Sequence, residues 1–252
     1  MIPLLAKAKP TGGIAHVLHL LLRVILPIVI FILVRANSNF VQLAFSVVIL
    51  SKWRMFAVRP RFWAANVRAN AVDLIVGLSI VLFMVHADSS SALQLMWAVL
   101  YGVWLIYIKP ASSILMISAQ AFTAQLLGLS ALYLAWAAGP LYGITLLTGL
   151  ICFLAARHFF DGFNEPYARL FSYIWGYFGA ALAWLLGHWL LYYRVVAQPT
   201  LLLTTLGYGL AVLFYLDNTE RLSKGLRRQF VFIMLAIVLV VLTFSDWGDK
   251  VV

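Results

Sequence analysis

Residues 112–137 read SSILMISAQAFTAQLLGLSALYLAWA, twenty-six residues without a charged side chain. An apolar helix needs about 20 residues to cross the roughly 30 Å hydrocarbon layer of a bilayer, so this stretch predicts a membrane span. Eight further segments read the same way: Ile14–Val34, Ser38–Trp53, Ala71–His86, Ala92–Ile108, Pro140–Ala156, Tyr167–Tyr193, Thr200–Leu216 and Gln229–Phe244. Pro110, Gly139-Pro140, Pro166 and Pro199 mark the starts of four of the nine, because proline in a first helical turn loses no hydrogen bond. The second span is crowded at its end by Lys52 and Arg54.

Composition agrees. Of 252 residues, 64% are apolar and 10% charged, with a mean hydropathy of +0.99. That leaves too little polar surface to coat a water-soluble core, and it excludes a disordered chain. The expected fold class is all-α, a polytopic transmembrane bundle of about nine spans forming a single integral membrane domain over residues 1–252. No repeat of fixed period is visible. The first span follows Lys7 and Lys9, as a signal peptide would, but it is longer than a signal core and contains Arg23, so it reads as a retained span.

Eighteen Lys and Arg face eight Asp and Glu, a net charge of +10. In a soluble chain such a surplus would suggest nucleic acid; here the cations fall in short loops, and no nucleic-acid motif is present. Cytoplasmic loops hold most Lys and Arg. With the N-terminus inside and nine alternating spans, fourteen of the eighteen fall inside, three (Arg35, Arg194, Lys250) fall outside, and Arg23 lies within a span. The expectation is a cell-membrane protein with its N-terminus cytoplasmic and its C-terminus outside.

Three polar groups are candidate sites. The first span carries His16, His19 and Arg23 at spacings of 3 and 4, on one helix face. Arg23 lies about 13 Å past Ile14 at 1.5 Å per residue. A cation near the bilayer centre costs about 2.5–3.5 kcal/mol, so it should face the bundle or a water-filled path. Its expected partners are the uncharged polar residues of the fifth span: Ser118, Gln120, Thr123, Gln125 and Ser130. The other reading is an arginine that locks helix packing.

The second loop, residues 51–70, is the most basic part of the chain, with Arg54, Arg59, Arg61 and Arg68 among Trp53, Phe56, Phe62 and Trp63. Aromatics and arginines settle at the headgroup level, so this reads as an interfacial elbow or as a site for a phosphate-bearing lipid. Asn70 and Asp73 fit a capping box for the third span, and Arg68 is an alternative partner for Asp73. The sixth loop holds Arg157, His158, Asp161, Glu165 and Arg169. As a site, Asp161, Glu165 or His158 would do acid–base work while Arg157 and Arg169 contact an anion. As structure, Arg157 and Asp161 pair at i,i+4, Gly162 ends one helix and Asn164 caps the next.

No acid lies deep in a span, which lowers a carboxylate proton relay, and no mid-span lysine offers a Schiff base. No nucleophile triad, zinc motif or nucleotide loop is present, so neither metal nor cofactor is expected. Cys152, the lone cysteine, reads as a small buried hydrophobe. Gly179, Ala183 and Gly187, with Gly176 and Ala180, form a small-residue stripe for close helix packing. The leading expectation is a transporter or channel-like protein for a small polar or anionic solute. The alternatives are an integral enzyme acting on a lipid-linked phosphate and a scaffold subunit of a membrane complex. Anionic membrane lipids are the expected partners, with a homo-oligomer or larger membrane complex as a further association.

Overall fold

The computed structural model describes residues 13–36, 40–188, 192–193 and 196–245, with side chains from residue 21 onward except at 192–193. Among these are ten α-helices and one two-residue hairpin. In order they are α1 (Gly13–Ala36), α2 (Val41–Leu50), α3 (Trp63–Ala69), α4 (Ala71–His86), α5 (Ser91–Val103), α6 (Ile114–Trp136), α7 (Leu141–Gly162), α8 (Ala168–Gly187), β1 (Tyr192–Tyr193), β2 (Val196–Ala197), α9 (Gln198–Asn218) and α10 (Lys224–Phe244). Among the described residues six helices are long and apolar enough to cross a membrane, α5 with its continuation to Ile108 and α6 to α10, and the bent pair that ends in α4 makes seven if it is one span. The all-α membrane class therefore stands.

Local chemistry sets the helix starts. Ser90, Ser113 and Ser223 each accept the backbone N–H three residues on, at 3.4, 3.3 and 3.1 Å, and so cap α5, α6 and α10. Pro199 sits in the first turn of α9, where its missing N–H costs nothing. The last turn of α5 widens into a π-helical turn over Trp104–Ile108, closed by Lys109 N–H on the Trp104 carbonyl at 2.8 Å.

Several expected boundaries move. The second segment, expected over Ser38–Trp53, is helical only over Val41–Leu50, about 15 Å of rise. The chain then turns through two short 3-10 pieces into α3, which meets α4 at a bend of 64°. The seventh segment stops at Gly187 rather than Tyr193, because the chain turns into the β1–β2 hairpin. The capping box at α4 does not form: the Asn70 amide donates to the Asn66 carbonyl at 2.9 Å, and Asp73 turns away to other partners.

The helices pack as an up-and-down bundle with α4 in its middle, against α1, α2, α5, α6 and α7. One core gathers Ile30, Val48, Val76, Met84, Tyr101 and Trp104 from α1, α2, α4 and α5. A second joins Leu129, Cys152 and Leu203 of α6, α7 and α9. Cys152 is fully buried there, as expected. The small residues of α8 face α7. A Cβ on Gly176 would stand 3.0 Å from the Gly149 carbonyl, and one on Gly179 would stand 2.7 Å from Cys152 Sγ. The outer faces carry the large apolar residues, among them Tyr177, Phe232, Leu235 and Phe244. In water such a surface would aggregate; in hydrocarbon it is the lipid boundary.

Side-chain contacts group the helix ends into two sets. At one end Lys52 and Lys109 meet Asp73, Gln120 meets the end of α5 and His158, and Phe159 meets Phe214. At the other, Arg35 reaches the Asp88 carbonyl, Ala197 packs with Tyr133 and Ile144, and Gln198 bonds Ser245. Every described Lys and Arg except Arg23 and Arg35 belongs to the first end.

Candidate functional site

Between α6, α7, α8 and α9 lies a half-open cleft of about 610 Å³, within the range of small-molecule sites. Its wall is almost wholly apolar, and aromatic toward the basic end of the bundle. Phe159 and Phe160 of α7 meet Phe214 of α9 at ring separations of 5.8 and 5.2 Å, and Phe160 meets Phe171 of α8 at 5.3 Å. Deeper in, Phe122 of α6 contacts Tyr208 of α9 at 5.2 Å.

One polar node sits in this wall. Gln125, buried, donates from Nε2 to the Leu203 carbonyl at 2.9 Å and accepts at Oε1 from Trp175 Nε1 at 2.9 Å. The node ties α6, α8 and α9 together with both the amide nitrogen and the amide oxygen bonded, which lowers the cost of an amide in an apolar wall. Gly207 makes room for it: a Cβ there would lie 2.9 Å from the Gln125 amide and 3.1 Å from the Trp175 ring.

A second arrangement is ionic and buried. Asp73, in the first turn of α4, accepts from Lys52 Nζ at 3.1 Å, contacts Lys109 Nζ through the same oxygen, and accepts from Trp104 Nε1 at 3.1 Å through the other. The π turn makes this geometry. Trp104 and Lys109 are five residues apart, which in an α-helix would place them roughly 140° apart around the axis. The wider turn brings both onto one carboxylate, and such turns recur at functional positions. Lys52 is 8% exposed; burial pulls its ammonium down to about 8, and the neighbouring Asp73 limits that shift. Sequence reasoning singled out Asp73 but gave it Arg68 or the helix N-terminus. The two lysines were legible only as loop cations, because their convergence depends on the packing of α2, α4 and α5.

The expected site residues fall as follows. Arg23 is half-buried on the α1 face that also carries Pro27, Ile30 and Val34, and among the described residues it has no hydrogen bond or ion pair. The side chains of His16 and His19 lie outside the described residues. Gln120 is committed elsewhere: its amide donates to the Ile108 and Ala111 carbonyls at 2.7 and 3.0 Å, pinning the end of α5. Its oxygen can only accept, so His158 Nε2, 2.9 Å away, carries the proton. Because α1 packs on α2, α4 and α5 while α6 packs on α4, α7 and α9, Gln120 and Gln125 serve helix contacts rather than a lining shared with Arg23.

The sixth span, expected to end at Ala156, continues to Gly162, so Arg157, His158 and Asp161 lie in the last turns of α7 rather than in a loop, and Arg157 and Asp161 form the expected i,i+4 pair through two contacts of 3.1 and 3.0 Å. Asn164 does not cap α8. It takes the left-handed turn at φ 53°, and Glu165 accepts the Tyr167 N–H instead at 3.3 Å. Asp161, Glu165 and His158 thus engage three separate partners. Arg169 is exposed, over the Tyr173 ring at 5.7 Å. Arg54, Arg59, Arg61 and Arg68 are all exposed at the elbow, with Arg61 stacked 4.6 Å over Phe62. Among the described residues no cluster of three or more His, Cys, Asp or Glu is placed to hold a metal.

Compared with known proteins, the chain matches no family model, no curated protein and no solved structure, so its functional reading rests on this geometry.

Proposed function

We propose that this is a cell-membrane protein of nine passes, N-terminus cytoplasmic and C-terminus outside, that takes the apolar part of a lipid-like amphiphile into the cleft between α6, α7, α8 and α9. The observation that carries the reading is the cleft itself, about 610 Å³ with an aromatic and aliphatic wall. Its lining includes exposed apolar residues of spanning helices, Leu115, Ile174, Tyr208 and Leu210, so its mouth opens where membrane hydrocarbon lies. A wall of this chemistry suits a hydrocarbon chain and offers little to a small hydrated ion, which must replace its water with polar groups.

This favours the class of lipid-linked phosphate ligands over a small polar solute. The junction of α7 and α8 follows directly from the cleft wall: Phe159 and Phe160 line the cleft, and Asp161 of α7, Glu165 of the turn and Arg169 of α8 come next in the chain. A headgroup at the cytoplasmic surface would stand beside these residues, with Asp161 or Glu165 as the candidate acid–base groups.

The nine-pass topology is supported by the grouping of helix ends. α2 is short, yet it begins six residues after Arg35, which reaches Asp88 at the far end of α4, and it finishes beside Lys52, which pairs with Asp73 at the near end. Its ten residues are shorter than the sixteen of α4, and we read α2 together with its flanking residues as a pass.

The experiment is equilibrium binding of a pyrene-labelled acyl-chain lipid to the full-length protein in detergent. Ala156→Phe with Ala211→Phe fills the cleft from two walls and is expected to weaken binding at least about tenfold. Unchanged binding by the folded double variant overturns the cleft reading. Arg23→Leu serves as a second arm and should bind as wild type does. If Arg23→Leu alone abolishes binding, the site belongs to a path along α1, as the half-buried guanidinium, without a partner among the described residues, would favour.

A further inference from the structure

The elbow between α2 and α4 is independent of the cleft and has its own chemistry. From Met1 to Val72 the chain has no acidic residue, and the first, Asp73, is already held by Lys52 and Lys109. The four elbow arginines, Arg54, Arg59, Arg61 and Arg68, are exposed and have no hydrogen bond or ion pair among the described residues. They form a patch of one sign with no internal counter-charge.

The apolar residues between them face outward as well. Trp53 is 61% exposed, Phe62 46%, Phe56 44% and Trp63 41%. Their arrangement is ordered: Trp63 Nε1 donates to the Val58 carbonyl at 2.9 Å, and Phe56 and Trp63 meet edge to face at 5.6 Å. The elbow is fastened by the buried Lys52 and Met55. The 64° bend carries residues 60–69 away from the axis of α4. Because both its ends continue directly into bundle helices, the elbow stands at the basic end of those helices, which the nine-pass reading puts at the membrane surface.

We infer that this elbow is a docking surface for the phosphates of acidic phospholipids in the leaflet that surrounds it. A water-facing loop would leave four large aromatic rings hydrated without gain, whereas the headgroup layer accepts such rings. Guanidinium forks match phosphate oxygens, and an anionic leaflet supplies phosphate at high local density. The surface would bias the lipids beside α2 and α4 toward anionic species whatever occupies the cleft.

The test uses purified full-length protein in neutral detergent with two probes, fluorescent phosphatidylglycerol and fluorescent phosphatidylcholine. The wild type is expected to prefer phosphatidylglycerol about tenfold, and R54Q/R59Q/R61Q/R68Q to bring that preference close to unity. A control at the same end of the bundle, R221Q/K224Q/R227Q/R228Q, should keep it. If the elbow variant does not fold, the pairs R54Q/R59Q and R61Q/R68Q are measured instead, each expected to reduce the preference about threefold. Folded elbow variants that keep the full preference overturn the inference, as does loss of the preference in the control alone. Displacement of the phosphatidylglycerol probe by millimolar inorganic phosphate or by a soluble acidic peptide also overturns it, since the ligand would then be a free anion or a protein.

Discussion

Asp73 is the residue on which the basic ends of α2, α4 and α5 converge. It holds two ammonium groups and an indole N–H, and all three lie against a carboxylate whose side chain is only 11% exposed. Removing one partner from a buried ion pair costs more than the pair contributes, because the survivor stays buried and uncompensated. Asp73→Asn leaves Lys52 in that state and is expected to destabilise by about 2–4 kcal/mol; Lys109 is 30% exposed and can turn to water, which tempers the loss. Lys52→Met should cost much less, since Lys109 still neutralises Asp73 and a methionine fills the same space. Thermal unfolding of both variants in detergent checks the order, and equal losses would mean that Lys109 alone does not neutralise the carboxylate. Arg23 stands in contrast. Of its expected polar partners, Ser118, Gln120 and Gln125 have their hydrogen bonds elsewhere.

At the scale of elements, close packing of α7 on α8 depends on residues with little or no side chain at the crossing. Gly149 and Gly176 face each other, and Gly179 lies over Cys152. The stripe on α8 was visible in the sequence, but not its partner, because spacing 4 marks a close approach without saying to which helix. Gly179→Val places branched carbons where Cys152 already stands, its Sγ and Cβ only 2.7 and 3.1 Å from the point a Cβ on residue 179 would occupy, and should cost about 1–3 kcal/mol in stability. Gly225, whose added Cβ would meet nothing within 4 Å, is the control expected to change little on substitution by Ala. Thermal unfolding of the two variants side by side in detergent makes the comparison. The π turn at the end of α5 is the feature least accessible to sequence reading. Nothing in Trp-Leu-Ile-Tyr-Ile distinguishes it from an ordinary apolar turn, and its sense emerges only once Asp73 is seen to draw both Trp104 and Lys109.

For the whole molecule, the segregation of cations along the chain and the grouping of helix ends are the two supports of the nine-pass topology we propose. One counts charges along the chain; the other follows contacts between helix ends. Single cysteines introduced at Arg54 and at Asp88, in a background with Cys152 replaced by Ala, should label from opposite sides of the membrane with an impermeant maleimide. Position 54 should react only when the cytoplasmic side is opened. Labelling of both from one side would remove α4 as a full pass and with it the nine-pass count.

Sequence alone determined the membrane class, the approximate helices and the side on which the charge collects, because each depends on local quantities: hydropathy over about 20 residues, and the loop in which a cation falls. The helix positions expected from residues 71–86, 92–108 and 112–137 lie within a few residues of α4, of α5 with its π turn, and of α6. Tertiary structure alone decided which polar groups from distant parts of the chain meet. The Lys52–Asp73–Lys109 cluster spans 21 and 36 positions of chain, and the cleft draws its wall from four helices between residues 115 and 215. Such convergence depends on helix rotation and packing order. Hydropathy carries little information about either, because in a membrane the lipid-facing and protein-facing sides of a helix are similarly apolar.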